Sequence, residues 1–195
     1  MTPTAKRPST GRSSPRSSRA ADIDRWLAEL GLEAVEREER EGITSWDLLL
    51  DGRRRRSVRV TLILDPALVL VAWAHYAPAL GDAFRKSYRQ FLRWNDELPF
   101  VKFALSSDER PVLSAELPAD GLDRDRLGLT LARLLAVCDL LLEDSLHWLE
   151  PGGRPRSGEP VRVGSGSGRP GASLIERYGA ELGELATPPD GEPAR

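Results

Sequence analysis

The chain has 195 residues, enough for one ordinary domain with extensions. A formal charge of -2 hides an uneven distribution: residues 1–20 hold five basic and no acidic side chains, while residues 21–150 hold 17 basic and 24 acidic ones, which argues against a nucleic-acid-binding core. The single cysteine excludes an intrachain disulfide and a cysteine-rich zinc site, and no run approaches the ~18 apolar residues of a membrane span.

In chain order, MTPTAKRPSTGRSSPRSSRA has too little large apolar surface to offset the entropy of ordering, so residues 1–20 are predicted to be a disordered basic tail. It lacks the apolar block of a secretory signal; together with the lone cysteine, this points to a cytoplasmic protein. The folded domain is expected over residues 21–150. ADIDRWLAELGLE supplies Asp22 or Asp24 as a helix cap, sets Ile23, Trp26, Leu27 and Leu30 at helical spacing, and stops at Gly31.

GITSWDLLL, SVRVTLILD and LVLVAWAHY follow as three β-rich runs, divided by the turn signals Asp51-Gly52 and Asp65-Pro66, and read as an antiparallel meander. ALGDAFRKSYRQFLRWNDEL then aligns Leu80, Phe84, Tyr88, Phe91 and Leu92 on a helical stripe. FVKFAL and VLSAELP are two further strands around the loop SSDERP, and DRDRLGLTLARLLAVCDLLLEDSLHWLE forms a long leucine-striped helix. Residues 151–171 are Gly-, Pro- and Ser-rich linker, and the GSGSGRPG within them follows no strand, so it is no phosphate loop. Residues 151–195 thus read as a mostly disordered tail with a short helix at 172–185, whose apolar side is Leu174, Ile175, Tyr178 and Leu182. The expected order is α-β-β-β-α-β-β-α, an α+β sandwich and not a doubly wound parallel sheet.

The densest polar cluster is Asn95, Asp96, Glu97 and Lys102. Asp96 and Glu97 are adjacent, so on a helix they diverge by roughly 100°, a poor arrangement for a shared acid/base site. Pro99 must end the helix, and Asn and Asp favour such ends, so a helix stop explains the cluster better than catalysis. Lys102 falls on the strand face opposite Val101 and Phe103, where Glu116 of the next strand is an expected cross-strand partner.

The element order and the stretch FLRWNDELPFVKFALSSDERPVLSAELP together resemble the YbjN-domain family, in which a helix ends at an Asn and a PF-x-KF strand leads into a turn and a second strand. The resemblance spans about residues 21 to 149. It implies a fold like that of the type III secretion chaperones, a dimer, and a role among bacterial sensory-transduction or stress regulators; it brings no catalytic residues. The basic N-terminal stretch, the Arg53–Arg56 run and the long C-terminal stretch depart from the pattern.

Arg53, Arg54, Arg55 and Arg56, after an Asp-Gly turn, are the candidate anion-binding residues, since guanidinium groups bond phosphate bidentately. A charged hairpin tip that keeps a sheet edge from pairing is the plainer explanation, as 25 of the chain's 28 cations are arginine. His75 and His147 lack metal-ligand spacing, Cys138 lies within the leucine stripe, and no cofactor motif is present. Of the tryptophans Trp26, Trp46, Trp73, Trp94 and Trp148, Trp46 or Trp73 would anchor a partner if one sheet face were uncovered; Lys102 is the third candidate contact. The sequence reads as a non-enzymatic, cytoplasmic, homodimeric protein-binding or chaperone-like regulator. The alternative is a nucleic-acid-associated regulator using the basic tail and the Arg53–Arg56 loop.

Overall fold

The structure, a computed structural model, describes residues 15–65, 69–79, 85–142, 145 and 170–186. Nine elements form the α+β domain: α1 (Pro15–Glu29), β1 (Ala34–Arg40), β2 (Ile43–Leu50), β3 (Val58–Asp65), β4 (Val69–His75), α2 (Arg85–Glu97), β5 (Lys102–Leu105), β6 (Pro111–Pro118) and α3 (Arg124–Leu140). Two short helices follow, α4 (Ala172–Arg177) and α5 (Gly179–Leu182).

All six strands join one antiparallel sheet in the order β1-β2-β3-β4-β6-β5. Alternation along β2, β3 and β4 buries Trp46, Leu48, Leu50, Val58, Val60, Leu62, Leu64, Leu70, Ala72 and Ala74 on one face. The helices cover that face. α3 packs on β4 and β6, and α1, α4 and α5 pack against α3. Leu127, Leu131, Leu134, Leu135, Val137 and Cys138 are therefore all buried, as expected of a helix enclosed between a sheet and other helices. Asp123 caps α3 by accepting the Arg126 N–H at 2.8 Å.

The sequence reading needs four corrections. The order contains one strand more than expected, because AVEREER forms β1. Its residues are exposed apart from the half-buried Ala34, so no apolar alternation marks them, and the strand is set by a two-residue turn at Glu41 and Gly42, both at positive φ. Helix α1 begins at Pro15 and not at Asp22 or Asp24, and its early residues are tied down: Ala20 is buried and Arg19 pairs with Asp120 at 3.0 Å. Leu92 is exposed, and Trp94 and Leu98 take the inner stripe beside Phe91. Leu80 and Phe84 of the expected stripe lie outside the described residues.

The fourth correction concerns the expected 172–185 helix, which is not part of a loose tail. Leu174, Ile175, Tyr178 and Leu182 are buried in the common core, and the Asp51 N–H donates to the Pro170 carbonyl at 2.6 Å. Tyr178 lies so close over Gly128 of α3 that a Cβ there would collide with the phenol ring. Gly128→Val should therefore destabilise the fold by about 1–3 kcal/mol by overpacking. Gly179→Ala, where a Cβ meets nothing within 4 Å, should be neutral or slightly stabilising. Denaturant titration of the two variants checks that the C-terminal helices belong to the domain.

Candidate functional site

The Asn95–Lys102 cluster is consumed by structure. Asn95, in the last turn of α2, has its amide turned onto β5: Nδ2 donates to the Phe103 carbonyl at 3.0 Å, and the Phe103 N–H donates to Oδ1 at 2.5 Å. The side chain thus replaces a strand partner at this edge. Lys102 Nζ donates to the carbonyls of Asn95 and, at 2.8 Å, Leu98, where the negative end of the helix dipole favours a cation. The expected pairing of Lys102 with Glu116 is not formed; Lys102 stands opposite Ser114 in the register, and its ammonium is taken by α2. Beneath them Phe103 stacks on Phe91 at 4.5 Å and meets the edge of Tyr76 at 5.0 Å. Asp96 and Glu97 are exposed.

The arginine run is likewise organised from below. Asp139, in the last turn of α3 and buried, accepts the backbone N–H groups of Arg53, Arg54 and Arg55 at 2.6, 3.1 and 2.7 Å. Such close approach requires Gly52, whose Cβ would lie 2.5 Å from Asp139 Oδ1. The four side chains are not equivalent. Arg53, Arg54 and Arg56 are exposed, whereas Arg55 turns inward, lays its guanidinium 4.6 Å over the Tyr76 ring and donates Nη2 to the Tyr76 carbonyl.

Trp46 and Trp73 fall on opposite sheet faces. Trp46 is 1% exposed under α1, with its indole N–H donating to Asp24 at 2.6 Å, so a partner docking on the sheet has no access to it. Trp73 is half-buried on the other face, against which no helix packs among the described residues. Its row runs Asp47, Thr61, Trp73, Ser114, Lys102 across five strands, and beside it Ile63 stands opposite Val71.

A polar network crosses this face. Thr61 Oγ1 donates to Asp47 Oδ1 at 2.5 Å and lies 3.1 Å from His75 Nε2, while Arg59 pairs with Asp47. Because the one hydroxyl hydrogen goes to Asp47, His75 Nε2 is the donor to Thr61. A nucleophile needs a base that takes its proton. Burial pushes the Asp47 carboxyl up, but the hydrogen bonds from Arg59 and Thr61 and the Arg59 charge outweigh it and leave it below the ordinary range, a poor base. Burial, aided by Arg59, holds His75 below its ordinary value. The network is a cross-strand ladder, not an activated hydroxyl.

The ladder floors an open cleft of about 770 Å³ between the 51–57 loop and the β5–β6 tip, lined also by Arg55, Tyr76, Pro78, Asp108 and Arg110. Asp47, Thr61 and His75 were not singled out as a group from sequence, since they sit on three strands. The signal was there in the alternation, which points all three outward, and in the hairpin pairing that sets Asp47 opposite Thr61. Burial raises the Cys138 thiol to about 12, consistent with an inert core residue. His147 and Trp148 lie outside the described residues, among which no cluster of metal-ligating side chains occurs.

These features define an α+β domain with helices on one face of an antiparallel sheet and an open, ladder-bearing face on the other. Residues 19–145 match the model of the YbjN family, described as "Putative bacterial sensory transduction regulator", and the chain belongs to that family. Among solved structures, it is similar to the Yersinia pestis type III secretion chaperone SycH, crystallised with a stable fragment of YscM2. Identity is 22%, coverage is 62% of this chain and 96% of that chain, and the TM-score is 0.45. A search of curated proteins finds no match.

Two outcomes follow from this geometry. Asn95→Ala should cost about 1–3 kcal/mol in a denaturant titration, because the edge of β5 loses both bonds, whereas Asp96→Ala should change stability by less than about 0.5 kcal/mol. Both Asp47 and His75 hold fewer protons when folded than in the unfolded chain, so their contribution is present above pH 6.5 and declines as pH falls through that value and on into the carboxylate range. Denaturation midpoints measured from about pH 8 to about pH 2, which takes in the His75 window below 6.5 and the Asp47 window below 3.8, should fall on acidification. His75→Gln should flatten the upper part of that fall.

Proposed function

We propose that the protein is a non-enzymatic, cytoplasmic, homodimeric regulator that binds another protein on the open face of its sheet. The observation that carries this reading is that face itself: Leu49, Ile63, Val71 and Trp73 are half-buried on the side away from the helices. Ile63, Val71 and Trp73 are neighbours across β3 and β4, and an apolar patch rimmed by polar groups marks interaction sites. Tryptophan, with large apolar area and an N–H to satisfy, is enriched among binding anchors. The polar ladder beside it would fix the orientation of what binds. Membership of a family described as sensory-transduction regulators agrees with a binding role. The arginine loop supports a nucleic-acid role less well, since Arg55 is turned toward Tyr76 and the loop backbone is committed to Asp139.

Affinity purification from the native host should recover a protein partner with the wild-type chain and lose it with Ile63→Ser and Trp73→Ser combined, both variants keeping a cooperative melt. Equal recovery of that partner by the folded double variant would remove the open face from the proposal. Light scattering after size exclusion should give twice the monomer mass; a monomer would remove the dimer.

A further inference from the structure

The cleft contains three guanidinium groups, Arg55, Arg59 and Arg110, and two carboxylates, Asp47 and Asp108. Both carboxylates are already engaged. Asp47 is held by Arg59 and Thr61; Asp108 pairs with Arg110 Nε at 2.7 Å and accepts from the Ser106 hydroxyl. Among the described residues, Arg55 is the cleft cation that no carboxylate side chain pairs with at its guanidinium. Its backbone is pinned by Asp139, its guanidinium rests on the Tyr76 ring, its Nη2 is used by the Tyr76 carbonyl, and its Nη1 is buried with no hydrogen-bond partner among the described residues. An unpaired buried donor on a charged group is costly, and native structures leave few without a reason.

We infer that the cleft is a binding site for a small organic anion, a carboxylate- or phosphate-bearing molecule whose charged oxygens meet Arg55 and Arg110 and whose apolar body lies against Trp73. The size agrees, since about 770 Å³ falls within the roughly 300–1,000 Å³ of small-molecule sites. The lining agrees as well: Trp73, Ala77 and Pro78 supply an apolar wall, Ser57 and Ser107 supply hydroxyls, and the Nη groups of Arg110 remain available beyond its Nε bond to Asp108. A guanidinium fixed before binding loses little freedom when it takes a bidentate oxyanion. An anion here would neutralise the excess charge of the cleft. The site shares Trp73 and the ladder with the proposed protein-binding face, but its occupation needs no partner protein.

Phenyl phosphate, benzoate, inorganic phosphate and phenol, titrated into the isotopically labelled full chain, test this by nuclear magnetic resonance. Phenyl phosphate or benzoate should shift the Trp73 indole and Arg55 Nε–H signals saturably, inorganic phosphate more weakly, and phenol not at all. Whichever of the two aromatic anions binds more tightly tells phosphate from carboxylate. Arg55→Gln should abolish the Trp73 shift, and Arg110→Gln, at an exposed side chain that among the described residues pairs only with the exposed Asp108, should weaken binding about tenfold, as loss of one charge-assisted bond implies. The inference is overturned if no anion shifts either signal saturably, if phenol shifts them equally, or if Arg110→Gln leaves the affinity unchanged. A tetraglutamate peptide that binds where the small anions do not would also overturn it, and would give the cleft to an acidic protein segment.

Discussion

The carboxylate of Asp139 holds the cleft side of the molecule in place. From the last turn of α3 it accepts three consecutive backbone N–H groups from a loop on the sheet, and so joins the two layers of the domain at a point where no apolar contact could. A carboxylate bonded by several backbone donors is among the stronger polar contacts available to a buried group. Its consequence reaches outward: on that fixed backbone the Arg55 side chain lies along Tyr76, whose hydroxyl in turn meets Ser145 at 2.8 Å and the Leu141 carbonyl at 3.1 Å. Helix end, loop and strand end become one rigid unit. The wall of the cleft is built from it.

The remaining architecture decides which face is left for function. All helices gather on the side where Trp46, Leu48, Leu62 and Ala72 point, because that side alone offers a continuous apolar surface. The other side alternates polar and apolar groups, Asp47 and Arg59 near Ile63 and Trp73, and is left open among the described residues. At the edges, the charged β1 and the four-residue β5 resist pairing with other chains, and Asn95 closes part of β5 with its own amide. In the proposed binding role, this leaves the face and not the edges for a partner.

How much of this could be read in the sequence depended on whether a residue's role was local. Asn95, Pro99 and Phe103 were legible because a helix stop and a strand start are written within nine residues, and the same stretch carried the family resemblance. The class of fold followed from alternation in β2, β3 and β4. By contrast β1 was hidden, since a solvent-exposed edge strand of Glu and Arg has no apolar period to detect. Trp46 and Trp73 could not be assigned to faces until the pairing of three strands was known. Asp139 looked like one acidic residue in a leucine-rich helix, and only the loop that returns to it from more than eighty positions earlier gives it meaning. The docking of Tyr178 over Gly128 was equally long-range, so the C-terminal helix was seen but its place in the core was not.

Native-state hydrogen exchange, resolved at single amides, reaches the foundation of this account directly. If Asp139 holds the loop, the amides of Arg53, Arg54 and Arg55 should exchange slowly, as a group, and with the same opening free energy as the last turn of α3. Exchange of those three amides at the rate of an open surface loop, while α3 stays protected, would contradict it.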